Sequence, residues 1–167
     1  MSIIRKIIRP GKADDYAQVV EIENACFPCE QAASADSLKM RLENFAPYFL
    51  VCEQEGQLIG MINGMSTNEE DLVDEMYEND LLHDPHGSHV MIFGVDTLPS
   101  FCHQGIAHQL MDRFLKTAKA ENKKSVVLTC LKELVPFYEQ FGFENEGISK
   151  SEHGNVIWYQ MRYVFHA

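Results

Sequence analysis

Two short stretches hold residue types and spacings that can do chemistry. In FCHQGIAHQL, Phe101 to Leu110, a glycine is followed two places on by a small residue and then by an apolar helix. Amides at the start of such a helix are unpaired, and with the helix dipole they favour an anion. Gly105 and Ala107 would let a pyrophosphate come close to the backbone. The same residues also suit a tight turn that only lets a helix pack on a strand, and a short glycine motif does not separate the two readings. The second stretch is CFPC, with Cys26 and Cys29. Thioredoxin-like pairs open a helix after a strand, whereas this one follows a helical stretch from Tyr16 to Asn24. A zinc site needs four ligands and no second close pair exists. The expectation is two free thiols.

These residues must be positioned by the elements around them. The chain has 167 residues, 46% hydrophobic and 23% charged, which predicts one domain over 1–167 with a real core. SIIRKIIRP reads as a strand ended by Pro10, and GKADDYAQVVEIENA as a helix with Tyr16, Val19, Val20 and Glu23 on one face. A second helix starts near Ser34 or Asp36, both good caps, and turns Leu38, Leu42 and Phe45 inward. YFLVCE and LIGMINGM, joined by QEGQ, predict a β-hairpin. The acidic segment Ser66 to His86 has no strand pattern; a loop this long is usually functional or mobile.

SHVMIFGVDTLP is the strongest strand, with Gly94 pointing to a bulge or a close backbone approach. From Gly105 a helix runs to about Lys119, with Ile106, Leu110, Phe114 and Ala118 in one buried stripe. SVVLTCL reads as a strand covered on both faces, KELVPFYEQFGF as a short helix closed by Gly142, and FENEGI and NVIWYQMRYVF as two final strands. The order β α α β β (loop) β α β α β β predicts an α/β (α+β) fold, a mixed sheet with helices on both faces.

A net charge of -11 argues against nucleic acid and is compatible with a cationic substrate. No apolar run approaches the ~20 residues of a membrane span, and the N-terminus lacks the h-region of a signal peptide. Five cysteines, an odd count, fit a reducing cytoplasm.

Three blocks together resemble the GNAT superfamily of N-acetyltransferases, most of all its arylalkylamine branch. IRPGKADDYAQVVEIENACFP looks like that family's opening strand, helix and substrate-side loop. GVDTLPSFCHQGIAHQLM looks like its acetyl-CoA motif, and LTCLKELVPFYEQFGF like its strand, splayed junction and catalytic helix. The resemblance implies a GNAT fold with splayed central strands. It also implies acetyl-CoA as cosubstrate, with the pyrophosphate on the amides of Cys102, His103, Gln104, Gly105, Ile106 and Ala107. Val95, Asp96 and Thr97 would lie along the pantetheine arm, where a strand amide would face the thioester carbonyl. The motif's first position, usually Gln or Arg, is Cys102 here. Tyr138, in PFYEQFGF, would protonate the departing thiolate; otherwise it packs the helix beside Phe137 and Phe141.

The family's arylalkylamine enzymes use paired histidines as the base. Their positions here are Met91 and Phe93, so the pair cannot be carried over. His89 shares their parity and is the nearest histidine; Glu75, Tyr77 and Glu78 are the other candidates. The resemblance implies a small amine partner held by Phe27, Pro28, Met65 and Tyr77, with Met61 and Met76 as further soft surface. His83, Asp84 and His86 in HDPHG invite a metal, but acyl transfer from a thioester needs none and none is assigned. Two rivals stay open, a non-catalytic acetyl-CoA-binding module and a protein N-terminal or lysine acetyltransferase. A homodimer is left open as well.

Overall fold

The computed structural model describes residues 5–166. Its elements follow the expected order: β1 Lys6–Pro10, α1 Tyr16–Cys26, α2 Ala35–Asn44, β2 Phe49–Gln54, β3 Gln57–Thr67 and β4 His89–Thr97. They continue with α3 Ile106–Ala120, β5 Ser125–Cys130, α4 Val135–Glu139, β6 Glu144–Ile148 and β7 Tyr159–Val164. Residues 2–4 of the expected first strand lie outside the described residues. Among the described residues no helix is long and apolar enough to cross a membrane.

The seven strands form one sheet in the order β1-β2-β3-β4-β5-β7-β6. Every neighbouring pair is antiparallel except β4 and β5. Those two pair only from His89–Ser125 to Ile92–Leu128, although both strands run on. Beyond Ile92 they splay, and the gap is the structural opening that everything below depends on.

The opening has a local cause. Asn63 of β3 faces Gly94 while Gly64 faces Ile92, so Phe93 has no partner and forms a bulge. Bulges bend a strand and raise its twist. Close approach just before the bulge needs Gly64, where a Cβ would sit 2.1 Å from the Met91 carbonyl oxygen.

Helices cover both faces. Ile106, Leu110, Phe114 and Ala118 of α3 are all buried against Leu50, Ile59, Ile62, Val90 and Val126. On the other face Val19 and Ile22 of α1 and Leu38 and Leu42 of α2 pack on Phe49, Val51 and Met61. The Ser34 side chain accepts from the Ser37 amide and starts α2 where the sequence signalled it. Covered on both sides, β3 is buried along nearly its whole length.

The acidic segment after β3 is held down by its own acids. Asp71 accepts from Arg162 at 2.7 Å and from Gln160 at 3.1 Å on β7, and Asp74 accepts from the Glu152 amide at 3.0 Å and from the Ser151 hydroxyl. Two of its acids therefore fasten the segment to β7 and the loop before it. Only Tyr77 and Glu78 reach the opening between β4 and β5.

Candidate active site

Beyond the splay lies one continuous cleft of about 960 Å³. Its walls come from the ends of β4 and β5, the start of α3, Phe137 and Tyr138 of α4, and two loops that face each other, 27–34 and 149–158.

At one end is the start of α3. His103 and Gly105 both take positive φ, +65° and +79°. A Cβ at Gly105 would meet nothing within 4 Å, so the backbone conformation, not space, asks for glycine there. The first bond into the helix runs from the Gln109 amide to the Gly105 carbonyl, leaving the amides of Ile106, Ala107 and His108 without helical partners. His103, Gly105, Ile106 and Ala107 line the cleft here, and Val95 and Thr97 line it along β4. Such an array of amides at the positive end of a helix is suited to an anionic group such as a pyrophosphate. Cys102 lines the cleft, but its amide already donates to the Pro99 carbonyl at 3.3 Å. The expectation of a free amide at Cys102 is corrected. Gln104 is turned away from the cleft, and so is Asp96, whose side chain points into the protein interior.

Tyr138 stands on the α4 wall, only 7% exposed, with its ring edge-on to Phe137 at 5.1 Å and to Phe143 at 6.0 Å. Among the described residues its hydroxyl makes no hydrogen bond. Burial, with Cys130 and Asp96 nearby, pushes the phenol pKa up, so it keeps its proton at neutral pH. Phe141 faces elsewhere, against His108 at 4.6 Å. Of the three aromatics in PFYEQF, Phe137 and Tyr138 face the cleft.

The other end of the cleft is aromatic. Phe27 and Tyr77 line it, together with Phe93, His153 and Trp158. Tyr77 stacks on His153 with ring centroids 5.0 Å apart and 8° between planes, and its hydroxyl bonds Thr129 Oγ1 at 3.2 Å. His153 Nε2 bonds the Gln31 carbonyl at 2.8 Å, and the Trp158 indole donates to the His153 carbonyl at 2.6 Å. The 149–158 loop thus closes against the 27–34 loop.

A model of the acetyltransferase (GNAT) family matches residues 16–143. The chain belongs to that family. Its members are acetyl-CoA-dependent acetyltransferases, and both the bulged β4 and the amide array at α3 fall inside the matched span.

Among curated proteins the chain is 23% identical over 133 residues to the probable hydrolase YhcX of Bacillus subtilis (strain 168), covering 74% of this chain and 26% of that protein. The chain therefore spans about a quarter of that relative. It is 27% identical over 158 residues to serotonin N-acetyltransferase of Mesocricetus auratus, covering 89% of this chain and 72% of that protein. Among solved structures the fold is similar to the loading GNATL domain of CurA from Lyngbya majuscula. The TM-score is 0.83 at 17% identity, with 96% of this chain and 98% of that one covered.

Several expected site residues lie elsewhere in this GNAT fold. His89 sits at the start of β4, three residues before the splay, which at about 3.3 Å per residue is some 10 Å away. Its ring bonds Ser125 Oγ at 2.7 Å and does not line the cleft. Strand parity placed it on a plausible face but at the wrong height. His89→Ala is expected to leave kcat/KM within about twofold of the parent across pH, as steady-state rates would show.

Met65 is also corrected. It is fully buried with Phe45, Met76 and Met91, beneath the site, and Met61 is core on the α1 face. Pro28 is exposed and its carbonyl accepts from Gln31 and Ala32, so it shapes the loop without lining the cleft. Glu75 does not reach the cleft either.

Among the lining residues that escaped the sequence reading are Glu23, Arg41, His153 and Trp158. Glu23 carried a signal, a carboxylate on the apolar face of its helix. The two loop residues carried none.

Proposed function

We propose that the protein is an N-acetyltransferase that moves the acetyl group of acetyl-CoA directly to a primary amine, of the small arylalkylamine or polyamine class. One observation carries the reading: the amide array at α3 and the protonated hydroxyl of Tyr138 open onto the same cleft, whose far end is aromatic. The amides of His103 to Ala107 hold the pyrophosphate, and Val95 and Thr97 flank the arm of the cosubstrate. A β4 amide beside the bulge faces the thioester carbonyl; donors of this kind are typically worth ~10²–10³ in rate. Tyr138 gives its proton to the sulfur as the C–S bond breaks.

No acyl-enzyme is needed. Burial pushes the thiols of Cys26 and Cys130 up to about 12, which keeps both protonated at neutral pH and poor as nucleophiles.

The acceptor end supports a small molecule over a protein. The bond from His153 to Gln31 and the contact of Gly154, whose Cβ would meet the Gln31 side chain at 2.9 Å, bring two loops together across it. Aromatic faces there suit an aryl group and an ammonium. The free thiols and the acid-rich surface are in keeping with a cytoplasmic protein.

The test is a one-pot competition among tryptamine, phenethylamine, spermidine and a lysyl peptide for limiting acetyl-CoA, with products weighed by mass spectrometry. Acetylated arylalkylamine or polyamine is expected in excess. Acetylated peptide as the main product would replace this reading with the protein acetyltransferase.

A further inference from the structure

Between α1, α2, β3 and β4 the structure buries a polar centre that the proposed transfer leaves without a task. Glu23 is 5% exposed, Asp96 1%, Arg41 2% and Asn63 0%. Glu23 Oε2 accepts from the Ala33 amide at 2.7 Å, and Arg41 donates to Asn63 Oδ1 at 3.0 Å and to the Tyr77 carbonyl at 2.8 Å. Those bonds fix the side chains and leave one side of each unused. Glu23 Oε1, both oxygens of Asp96, Asn63 Nδ2 and Arg41 Nε are buried and make no hydrogen bond among the described residues. Unpaired buried polar atoms are costly, so such a convergence is expected to serve something.

Three of these unused atoms converge on Gly94. The position its Cβ would take lies 3.1 Å from Asp96 Oδ1, 3.7 Å from Asn63 Nδ2 and 3.9 Å from Glu23 Oε1. Glu23, Arg41 and Gly94 all line the cleft; Asp96 and Asn63 stand behind them. A polar atom reaching past Gly94 therefore meets Glu23 at the end of the cleft where an amine would arrive, with Asp96 Oδ1 behind it. Two ionised carboxylates would repel here, and one shared proton turns that contact into an O–H···O bond. In agreement, burial first and then the neighbouring Glu23 carboxyl raise the Asp96 carboxyl well above its ordinary range, opposed by Arg41.

We propose that Glu23 is the base that takes the proton from the acceptor ammonium, with Asp96 as its proton-sharing partner and Arg41 and Asn63 holding the pair in place. The inference rests on the transfer reading above and supplies the base that His89 does not. The ammonium gives one proton to Glu23, directly or through a single water beside Gly94. The neutral nitrogen then bonds to the thioester carbon, and the C–S bond breaks as Tyr138 protonates sulfur. The second proton from nitrogen returns to the Tyr138 oxygen, and the proton on Glu23 leaves to solvent. Glu23 is the catalytic residue; Asp96 is a positioning residue.

The groups facing the pair are Arg41 from α2, Tyr77 from the acidic segment with His153 stacked on it, and Cys26 one turn along α1. None of these replaces a carboxylate at Gly94. Because a general base works only when ionised, kcat/KM of the parent should show an acid limb.

The experiment compares parent, Glu23→Gln and Asp96→Asn for acetyl-CoA affinity, for kcat/KM against pH on whichever amine the competition selects, and for the infrared carboxyl stretch. Glu23→Gln should lose roughly tenfold or more at neutral pH and recover as pH approaches the amine's own pKa of about 10, where no base is needed. Asp96→Asn should move the acid limb and lower the plateau by less than Glu23→Gln does, and acetyl-CoA affinity should hold in both. A protonated carboxyl band at neutral pH should be present in the parent and absent in Asp96→Asn. Unchanged profiles in both variants, or no such band in the parent, would overturn the proposal. If the parent turned over no amine, the transfer reading and the base role would fall together, while a surviving band would show the shared proton itself intact.

Discussion

Tyr138→Phe is expected to lower kcat by roughly 10²-fold while the Kd for acetyl-CoA stays unchanged, in line with what a positioned general acid contributes. The substitution removes one oxygen. It leaves the edge-on ring contacts with Phe137 and Phe143, and since the hydroxyl makes no hydrogen bond within the described protein it leaves no partner stranded. Stability should therefore hold, which separates chemistry from folding. The phenol is useful because burial keeps it protonated until a stronger base, the departing thiolate, appears beside it. An acetyl thioester of a much more acidic thiol needs no proton to leave, and with it parent and variant should converge. Single-turnover rates on both thioesters, with affinities from titration, check this; equal rates on acetyl-CoA would remove Tyr138 from the mechanism.

Gly105→Val should act on the other half of the site. At φ +79° an L-residue costs about 1–2 kcal/mol, and a β-branched one more. Since a Cβ would meet nothing within 4 Å, the effect is one of backbone conformation and not of collision. The chain relieves the strain by turning the residue toward negative φ, which swings the amides of Ile106 and Ala107 away from a common focus. The Kd for acetyl-CoA should rise ten- to thirtyfold, as about 1.4–2 kcal/mol implies. The rate at saturating acetyl-CoA should change far less, because Tyr138 and β4 are untouched. Gly105→Asn, a residue that tolerates the left-handed region, should lose much less affinity. Equal affinities for all three proteins would show that the turn serves packing alone.

The contrast between these residues and the missed ones shows what a sequence carries. The α3 stripe was legible because four buried positions recur every fourth residue, and the helix start because Gly105 sits where that periodicity begins. The bulge was legible from a glycine inside an otherwise apolar strand, and the structure puts the register shift there. Met65 misled because β3 is covered on both faces. Its apolar run is the same whether a given methionine meets a cleft or a core, and only the packing of Phe45 and Met76 decides. His89 misled because parity fixes a face and not a height.

Glu23 and Asp96 meet across 73 positions of chain, a pairing no local pattern can announce; the carboxylate on an apolar helix face was its sole trace. His153 and Trp158 lie on a loop whose place is set by the contact of Gly154 with residues 30 and 31. That contact joins opposite ends of the sequence.

The most direct measurement is CoA release from acetyl-CoA by the purified protein, with its own thiols subtracted. The acceptors are tryptamine, phenethylamine, spermidine, lysine, a lysyl peptide and aminoglycosides, with Tyr138→Phe run beside the parent. Turnover on an arylalkylamine or a polyamine, lost in the variant, is the predicted result. Tight acetyl-CoA binding with no turnover on any of these amines would contradict it, and would leave a protein that holds the cosubstrate without transferring its acetyl group.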